Sequence, residues 1–388
     1  MTGDPFSFYE FFAGGGMARA GLGDGWRCLF ANDIDPDKAE SYRANWDGDD
    51  FHAGDLGAVA PKSLPGRADL AWASFPCQDL SLAGSGKGMG GAGDEVKTRS
   101  GAFWLFHDKM RALRAEGRAP RLIVLENVVG VLTSHGGHDF QAIVAALADL
   151  GYRCGAMMLD ARHFTPQSRP RVFFVALDRA CAPPPELVQK TPEPVWTIPA
   201  LIAAHSKLSP ELARDWLWWR LPLPALRNIE LIDLLEAGAP WRKPEDTARL
   251  LALMAPAHLE KLREIQAGGA RRVGAVYRRT RRDHEGAKVQ RAEIRFDGMA
   301  GCLRTPGGGS SRQTIVEVEG ANIRSRLLTP RETARLMGLP DSYLLPRTAN
   351  KAYGLCGDGL CVPVIRHLAA HLLEPLLQRN SRTLAAAE

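Results

Sequence analysis

The sequence predicts an α/β protein built on a mainly parallel sheet, and three observations lead there. Short apolar runs alternate with helical stretches through the first 180 residues. Several of those runs end in a glycine turn or a polar residue. A Pro-rich stretch at 181–199 then marks a change of pattern. In order, F-S-F-Y-E-F-F-A (6–13) reads as a buried strand, and G14-G15-G16 turns it into a helix start. W26 to A31 is a second strand, and N-D-I-D-P starts a helix at Pro36. A-D-L-A-W-A (68–73) is a short strand ending at P-C-Q, before a glycine-rich stretch at 85–94. A helix is expected over roughly 101–116, a strand at R-L-I-V-L (121–125), an amphipathic helix from Phe140 to Leu150 and a strand at 171–177. Beyond the boundary, 200–265 is mixed, and W216-L-W-W219 reads as core rather than as a base-stacking platform. Order returns at Leu328, and a final helix is expected over roughly 362–378.

The totals narrow the function classes. A length of 388 residues fits two domains, or one large domain with an insertion. A hydrophobic content of 45% supports a sizeable core. The N-terminus lacks the pattern of a signal peptide, the end T-L-A-A-A-E is not a lipidation box, and no apolar stretch approaches the ~20 residues of a membrane span. A soluble, cytoplasmic protein is expected. The seven cysteines (28, 77, 154, 181, 302, 356 and 361) include no C-x-x-C pair, which argues against a disulfide framework and a structural zinc site. No metal site is expected. The net charge of +5 is concentrated, with 13 Lys/Arg against 6 Asp/Glu between residues 265 and 330. A basic region on a near-neutral body fits either a polyanion partner or a solvated, salt-bridged face.

The motifs cluster at expected strand ends. The glycine turn after the first strand lets a ligand approach the backbone, and the second strand ends in Asp33, where an acid commonly takes a ribose hydroxyl pair. Asp55 follows a plausible third strand. Together they suggest an adenosine-containing cofactor without choosing among NAD, FAD and S-adenosylmethionine. Cys77 and Glu126 each follow a short apolar strand, so both belong at the edge that carries the glycine turn. A thiolate and a carboxyl beside an adenosine pocket suit methylation of cytosine. C5 of that base is a poor nucleophile until a thiolate adds to C6, and a carboxyl at N3 disperses the charge that develops. The base must leave the duplex, and the glycine-rich stretch after Cys77 is placed to close over it.

In series, A-S-F-P-C-Q-D-L-S, L-E-N-V, Q-S-R-P-R and R-x-L-T-P-R-E-x-A-R-L-M-G-L-P resemble the bacterial DNA cytosine-5 methyltransferases, over almost the whole chain except roughly 181–325. The resemblance implies a Rossmann-like S-adenosylmethionine-dependent methyltransferase fold with a smaller target-recognition domain. It implies a catalytic domain at 1–180, target recognition at 181–325, and a segment 326–388 that returns to complete the catalytic domain. By resemblance Cys77 is the nucleophile, Glu126 the carboxyl at N3, and Arg171 with Arg169 hold the flipped cytosine. Phe12, Gly14 and Gly16 line the cofactor pocket and Pro76 shapes it beside Cys77. Asp33 holds the ribose, Ile34 and Phe103 sandwich the adenine, and Asp55 meets its amino group. Asp358 stands where the family usually has asparagine, next to Gly359, and both face the cofactor. Gln78, Ser81, Lys87 and Arg99 are expected to touch DNA, as are Arg304, Thr305, Arg312 and Gln313 around the glycine loop at 307–309.

The expected reaction is methyl transfer from S-adenosyl-L-methionine to cytosine C5 in double-stranded DNA, leaving S-adenosyl-L-homocysteine. A monomer is expected, with a cognate restriction endonuclease encoded nearby. Two alternatives stand beside it: an RNA enzyme of the same superfamily, whose Cys-Phe-Thr signature is absent, and a DNA-binding protein with an idle catalytic domain.

Overall fold

The computed structural model describes residues 5–76, 101–282, 285–307 and 312–385, with side chains through residue 379. The chain forms two compact units. The first comprises Met1–Asp160, Pro170–Pro224 and Val364–Glu388; the second comprises Ala161–Arg169 and Ala225–Pro363. The segments expected from sequence end after residues 180 and 325, whereas the compact units divide after 160, 169, 224 and 363.

The first unit is built on seven strands. These are β1 (Phe6–Phe11), β2 (Trp26–Asp33), β3 (Phe51–Ala53), β4 (Leu70–Ala73), β5 (Leu122–Val128), β6 (Tyr152–Asp160) and β7 (Pro170–Asp178). The helices between them are α1 (Met17–Leu22), α2 (Pro36–Asn45), α3 (Ala102–Ala115) and α4 (His138–Asp149). The strand order is β3-β2-β1-β4-β5-β7-β6. Pairing is parallel from β3 through β5, and β7 runs antiparallel to both neighbours. β1 therefore has β2 on one side and β4 on the other. Strand order reverses there, and in open α/β sheets such a point opens a crevice at the carboxyl ends of the strands.

Local chemistry explains these elements. Strands covered on both faces need continuous apolar runs, and Leu70–Ala73 and Leu122–Leu125 are fully buried. Asp35 caps α2 by accepting from the N–H groups of Asp37 and Lys38, and Pro36 occupies the first turn. β6 was not expected. Its sequence, Y-R-C-G-A-M-M-L-D, has no β-branched residue, and it forms because β7 pairs along its whole length.

Further along, β8 (Val188–Gln189) pairs with β9 (Trp218–Trp219), and α5 (Pro199–His205) and α6 (Pro210–Arg214) lie between them in sequence. Trp219 donates its indole N–H to the Val175 carbonyl at 3.1 Å, and Trp216 packs on Phe140. The tryptophan cluster is core.

In the second unit, β10 (Arg272–Arg282), β11 (Lys288–Arg295), β12 (Thr314–Glu319) and β13 (Asn322–Leu327) form an antiparallel sheet in the order β11-β10-β12-β13. Leu250 of α7 (Pro244–Ala252), Met254 and Leu262 of α8 (Pro256–Ala267) form one core with Val276, Ala292, Ile294, Val316 and Val318. α9 (Pro330–Leu336) opens on a capping box between Thr329 and Glu332, and Glu332 also holds Arg326 through two bonds of 2.7 Å. α10 (Ala349–Asp358) follows, and α11 (Val362–Leu368) starts two residues before the first unit resumes at Val364.

In the first unit the chain ends with α12 (Glu374–Ala385), where Trp26 donates to Glu374 at 3.0 Å and Arg121 to the Leu377 carbonyl at 3.2 Å. The helical run 349–379 is long and apolar enough to cross a membrane by length and composition alone. More than half of its most apolar stretch is buried, as in a core helix.

Gly155 on β6 is a point of close approach. A Cβ there would lie 1.8 Å from the Leu217 carbonyl oxygen, beside the bond from Leu217 N–H to the Cys154 carbonyl. Gly155→Ala is expected to displace 216–219 and destabilise the protein by about 1–3 kcal/mol, the usual cost of overpacking. A shifted urea midpoint would show it; an unchanged midpoint would refute it.

Candidate active site

The site begins at the turn after β1. Phe12 adopts φ 58°, which is uncommon for a residue with a side chain, and Gly14 and Gly16 also have positive φ. Two bonds fasten the turn to β2: Ala13 N–H to the Asn32 carbonyl at 2.8 Å, and Gly14 N–H to Asp33 Oδ2 at 2.8 Å. Asp33 Oδ1 accepts from Asp35 N–H at 2.9 Å. The Asp33 carboxylate thus ties the glycine turn to the start of α2, and each oxygen retains a lone pair for a ligand hydroxyl. Gly16 is required by packing, since a Cβ would lie 2.2 Å from Trp46 Nε1. Gly14 faces open space: a Cβ would meet only the Lys38 chain, at 4.0 Å.

Behind the turn lies Glu10, which is fully buried. Burial pushes its carboxyl up to about 8, against the opposing effects of Arg19 and of the Ala18 and Arg19 backbone N–H groups. Arg19 bonds Tyr42 at 2.9 Å and Asp50 at 2.7 Å. Sequence reading missed Glu10. A lone acid in an otherwise aromatic strand, F-S-F-Y-E-F, was the available signal.

Of the other expected cofactor residues, Ile34 is an exposed apolar side chain, and Asp55 is exposed and accepts from Gly57 N–H at 2.8 Å. Phe103 differs from expectation. It is packed in the core against Phe75, with ring centroids 5.4 Å apart, and is almost fully buried, so its faces are used by protein contacts.

The ends of β4, β5 and β7 form the second part of the site. Asn127 donates its side-chain amide to the Phe75 carbonyl at 3.3 Å, which holds Ser74–Phe75–Pro76 against the end of β5. Glu126, one residue earlier, meets Arg171 of β7, with Nε 3.0 Å from Oε1. The antiparallel register explains the meeting, because Arg171 lies opposite Val128 and Phe173 opposite Glu126. Both side chains are mostly buried, where a charge-assisted bond holds a carboxyl in a fixed orientation. Asn127 is the positioning residue that the sequence reading passed over, although it stands in the L-E-N-V motif.

Cys77, Gln78, Ser81, Lys87 and Arg99 lie outside the described residues. Among described cysteines, burial pushes the thiols of Cys28, Cys154, Cys181 and Cys356 up, that of Cys356 to about 11. Such thiols stay protonated near neutral pH.

The remaining expected residues belong to the second unit. Arg169 is buried and donates to the carbonyls of Leu303 (3.1 Å), Gly357 (2.9 Å) and Gly359 (2.6 Å). This differs from a role in holding cytosine: its guanidinium braces backbone. Asp358 accepts from the Thr305 hydroxyl at 2.5 Å, so the carboxylate in place of asparagine is used here as an acceptor. Gly357 lets these segments meet, since a Cβ would lie 2.4 Å from the Arg304 carbonyl carbon. Gln313 is likewise committed: its amide bonds the Val276 and Thr314 carbonyls and accepts from Gly301 N–H. Arg312 bonds Asn350 and lies over the Tyr353 ring. Arg304 is exposed.

Comparison with known proteins places this geometry in a class. A family model for C-5 cytosine-specific DNA methylases matches residues 6–374. The chain belongs to that family. It is 28% identical over 381 residues to the Type II methyltransferase M.NlaX of Neisseria lactamica, covering 97% of this chain and 99% of that one. It is 26% identical over 391 residues to the Type II methyltransferase M.HpaII of Haemophilus parainfluenzae, covering 96% and 90%. In fold it is similar to the Dnmt2 methyltransferase of S. pombe, with a TM-score of 0.55, 19% identity and coverage of 96% and 99%. The protein is a DNA cytosine-5 methyltransferase that uses S-adenosyl-L-methionine. The residues present fit that cofactor, with an open glycine turn beside an acid that has acceptor capacity to spare.

Asp33→Asn replaces one acceptor oxygen with a donor, so either Gly14 or Asp35 N–H loses its partner. S-adenosyl-L-methionine binding by calorimetry should weaken at least about tenfold, the equivalent of one charge-assisted bond; unchanged affinity would exclude Asp33 from the cofactor site. Glu10 concerns stability. Its folded value of about 8 exceeds the ordinary 4.5, so its contribution is complete below 4.5 and is lost as pH rises through about 8. Relative to wild type, Glu10→Gln should therefore gain thermal stability between pH 5 and pH 8.5. A difference in Tm that does not vary with pH would contradict this.

Proposed function

We propose that the protein methylates cytosine at one short sequence in duplex DNA, through a covalent bond between Cys77 and C6 of a flipped-out base. The observation that carries this reading is the arrangement at the ends of β4, β5 and β7. Asn127 holds the residues that lead into Cys77, beside a Glu126 oriented by Arg171.

The thiolate of Cys77 adds to C6, the C5–C6 pair shifts to make a C4–C5 double bond, and the C4–N3 pair moves onto N3. Glu126 supplies the proton there, and Arg171 keeps the carboxyl directed at the ring. S-adenosyl-L-methionine supplies an electrophilic methyl group, which C5 takes. The C4–N3 double bond re-forms as the N3 proton returns to Glu126; a base then removes the C5 proton, the C5–C6 double bond re-forms and the Cys77 sulfur leaves as thiolate. Phe12, Gly14, Gly16, Asp33, Ile34, Asp55 and Pro76 form the cofactor side of this site. Arg169 acts through backbone, setting the turn that carries Asp358 and Gly359.

Target recognition is assigned to 181–325, where the arginine excess lies, with Arg304 and Thr305 beside its glycine loop. In this reading the enzyme is a monomer in the cytoplasm, associated with the nucleoid. The Type II names of its relatives suggest a cognate restriction endonuclease.

The test is bisulfite sequencing of plasmid DNA from methylation-free cells that express the protein or Cys77→Ala. Protected cytosines at one motif are expected with the wild type and none with the variant. Glu126→Gln should lower methylation by about 10²-fold or more, the usual contribution of a positioned acid. Protection that survives in Cys77→Ala would overturn the covalent mechanism.

A further inference from the structure

β3 has three residues and lies at the edge of the first sheet, with β2 as its one neighbour. Their register sets Ala31 opposite Phe51, Asn32 opposite His52 and Asp33 opposite Ala53. So short an edge strand has few ladder bonds to fix where it ends. Side-chain bonds then decide the geometry of the residues that follow. The Asn32 side chain is buried and spends both amide hydrogens there. Its Nδ2 donates to the His52 carbonyl at 3.0 Å and to the Gly54 carbonyl at 2.9 Å. Two carbonyl acceptors fix which atom of the amide is nitrogen.

Gly54 is therefore held at both ends. Its N–H donates to the Asp33 carbonyl at 2.9 Å, and its carbonyl accepts from Asn32. Gly54 has φ 147°, which side chains rarely adopt, while a Cβ there would meet only the His52 ring, at 3.6 Å. Backbone conformation, not space, requires the glycine. The next residue is Asp55, whose Oδ1 accepts from Gly57 N–H at 2.8 Å and caps the short turn Leu56–Ala58. Among the described residues, Oδ2 of Asp55 has no hydrogen bond and keeps its acceptor capacity for a ligand. Asn32 also reaches the other loop of the site, because its own carbonyl accepts from Ala13 N–H at 2.8 Å in the glycine turn. Replacing its side chain leaves that backbone bond in place and removes the two bonds to the Gly54 turn.

We propose that Asn32 is the positioning residue for adenine recognition: its amide sets the Gly54 turn so that Asp55 Oδ2 accepts from the exocyclic amino group of the cofactor. This rests on the reading of Asp55 as the adenine contact and adds the residue that makes that contact selective. Adenine presents an amino donor where hypoxanthine presents a carbonyl acceptor, which a carboxylate repels. A carboxylate held in place favours adenine, whereas one that swings away toward water discriminates less. His52 is exposed and Gly54 half-buried, so in an alanine variant water supplies donors to both carbonyls. The fold is then retained while the turn loses its fixed geometry.

The test compares calorimetric affinities of the full chain for S-adenosyl-L-homocysteine and for S-inosyl-L-homocysteine, in which hypoxanthine replaces adenine. The wild type should favour the adenine ligand by about tenfold, the equivalent of one charge-assisted bond. Asp55→Ala should bring the ratio to about one. Asn32→Ala should lower it by about threefold or more. Asn32→Asp should do the same, since it keeps the shape of the side chain and replaces the donor with an acceptor. Adding Asn32→Ala to Asp55→Ala should change the ratio no further, because the two residues act as one unit. Asn45→Ala, which removes an amide bonded to the Ser41 carbonyl on α2, should change neither affinity. A wild-type ratio in both Asn32 variants, beside a reduced one in Asp55→Ala, would overturn the role of Asn32 and leave Asp55 as the adenine contact. So would an equal loss of affinity for both ligands, which marks a bond that serves the fold alone. Equal affinity of the wild type for the two ligands, or an unchanged ratio in Asp55→Ala, would overturn both.

Discussion

The constraint on which the first unit depends is that β1, β2, β4 and β5 run parallel. Parallel neighbours finish at one edge, so four separate stretches of chain deliver their next residues to the same place. The glycine turn, Asp33, the approach to Cys77 and Glu126 all come from that alignment. Had any of these strands been reversed, its polar end would lie about one strand length away, on the order of 15–20 Å. The antiparallel β7 complements this arrangement. Because it enters from the opposite direction, its first residues, not its last, lie at the site edge, and Arg171 reaches Glu126 at 3.0 Å.

Around that edge the protein assigns buried polar groups to single tasks. Asp33 and Asp35 are two residues apart and do different work: the first joins the glycine turn to α2, the second caps α2. Asn127 and Glu126 are adjacent, yet one holds backbone and the other meets arginine. Glu10 is kept close to neutral behind the turn by burial. In each case the geometry of the reacting or binding group is set by a neighbour whose hydrogen-bonding capacity is already used. This is how a site keeps its shape in water.

Arginine illustrates why composition alone does not identify a nucleic-acid surface. The basic stretch of 265–330 suggested DNA contact, but much of it is spent within the fold. Arg271, Arg324 and Arg326 are paired with buried carboxylates, and Arg279 and Arg281 share one glutamate. Gln313 and Arg312, expected to touch DNA, are likewise engaged with neighbouring protein groups. A surface for an anion is defined by which cations the fold leaves without a partner.

By itself the sequence determined the parallel α/β core, the glycine turn, the helix start at Pro36 and the order of the P-C-Q, E-N-V and Q-x-R-x-R motifs. All of these are written in local terms: runs of apolar residues, turn chemistry and capping within a few positions. It did not reveal β6, whose residues favour no strand until β7 pairs with them. Nor could it separate Arg169 from Arg171, which stand two apart in one motif. The carbonyls that Arg169 binds lie 134 to 190 residues away, and Glu126 reaches Arg171 only through the register of β5 against β7. Tertiary structure decided those roles, because a buried arginine goes wherever the fold offers acceptors, and acceptors are brought together by pairing across the chain.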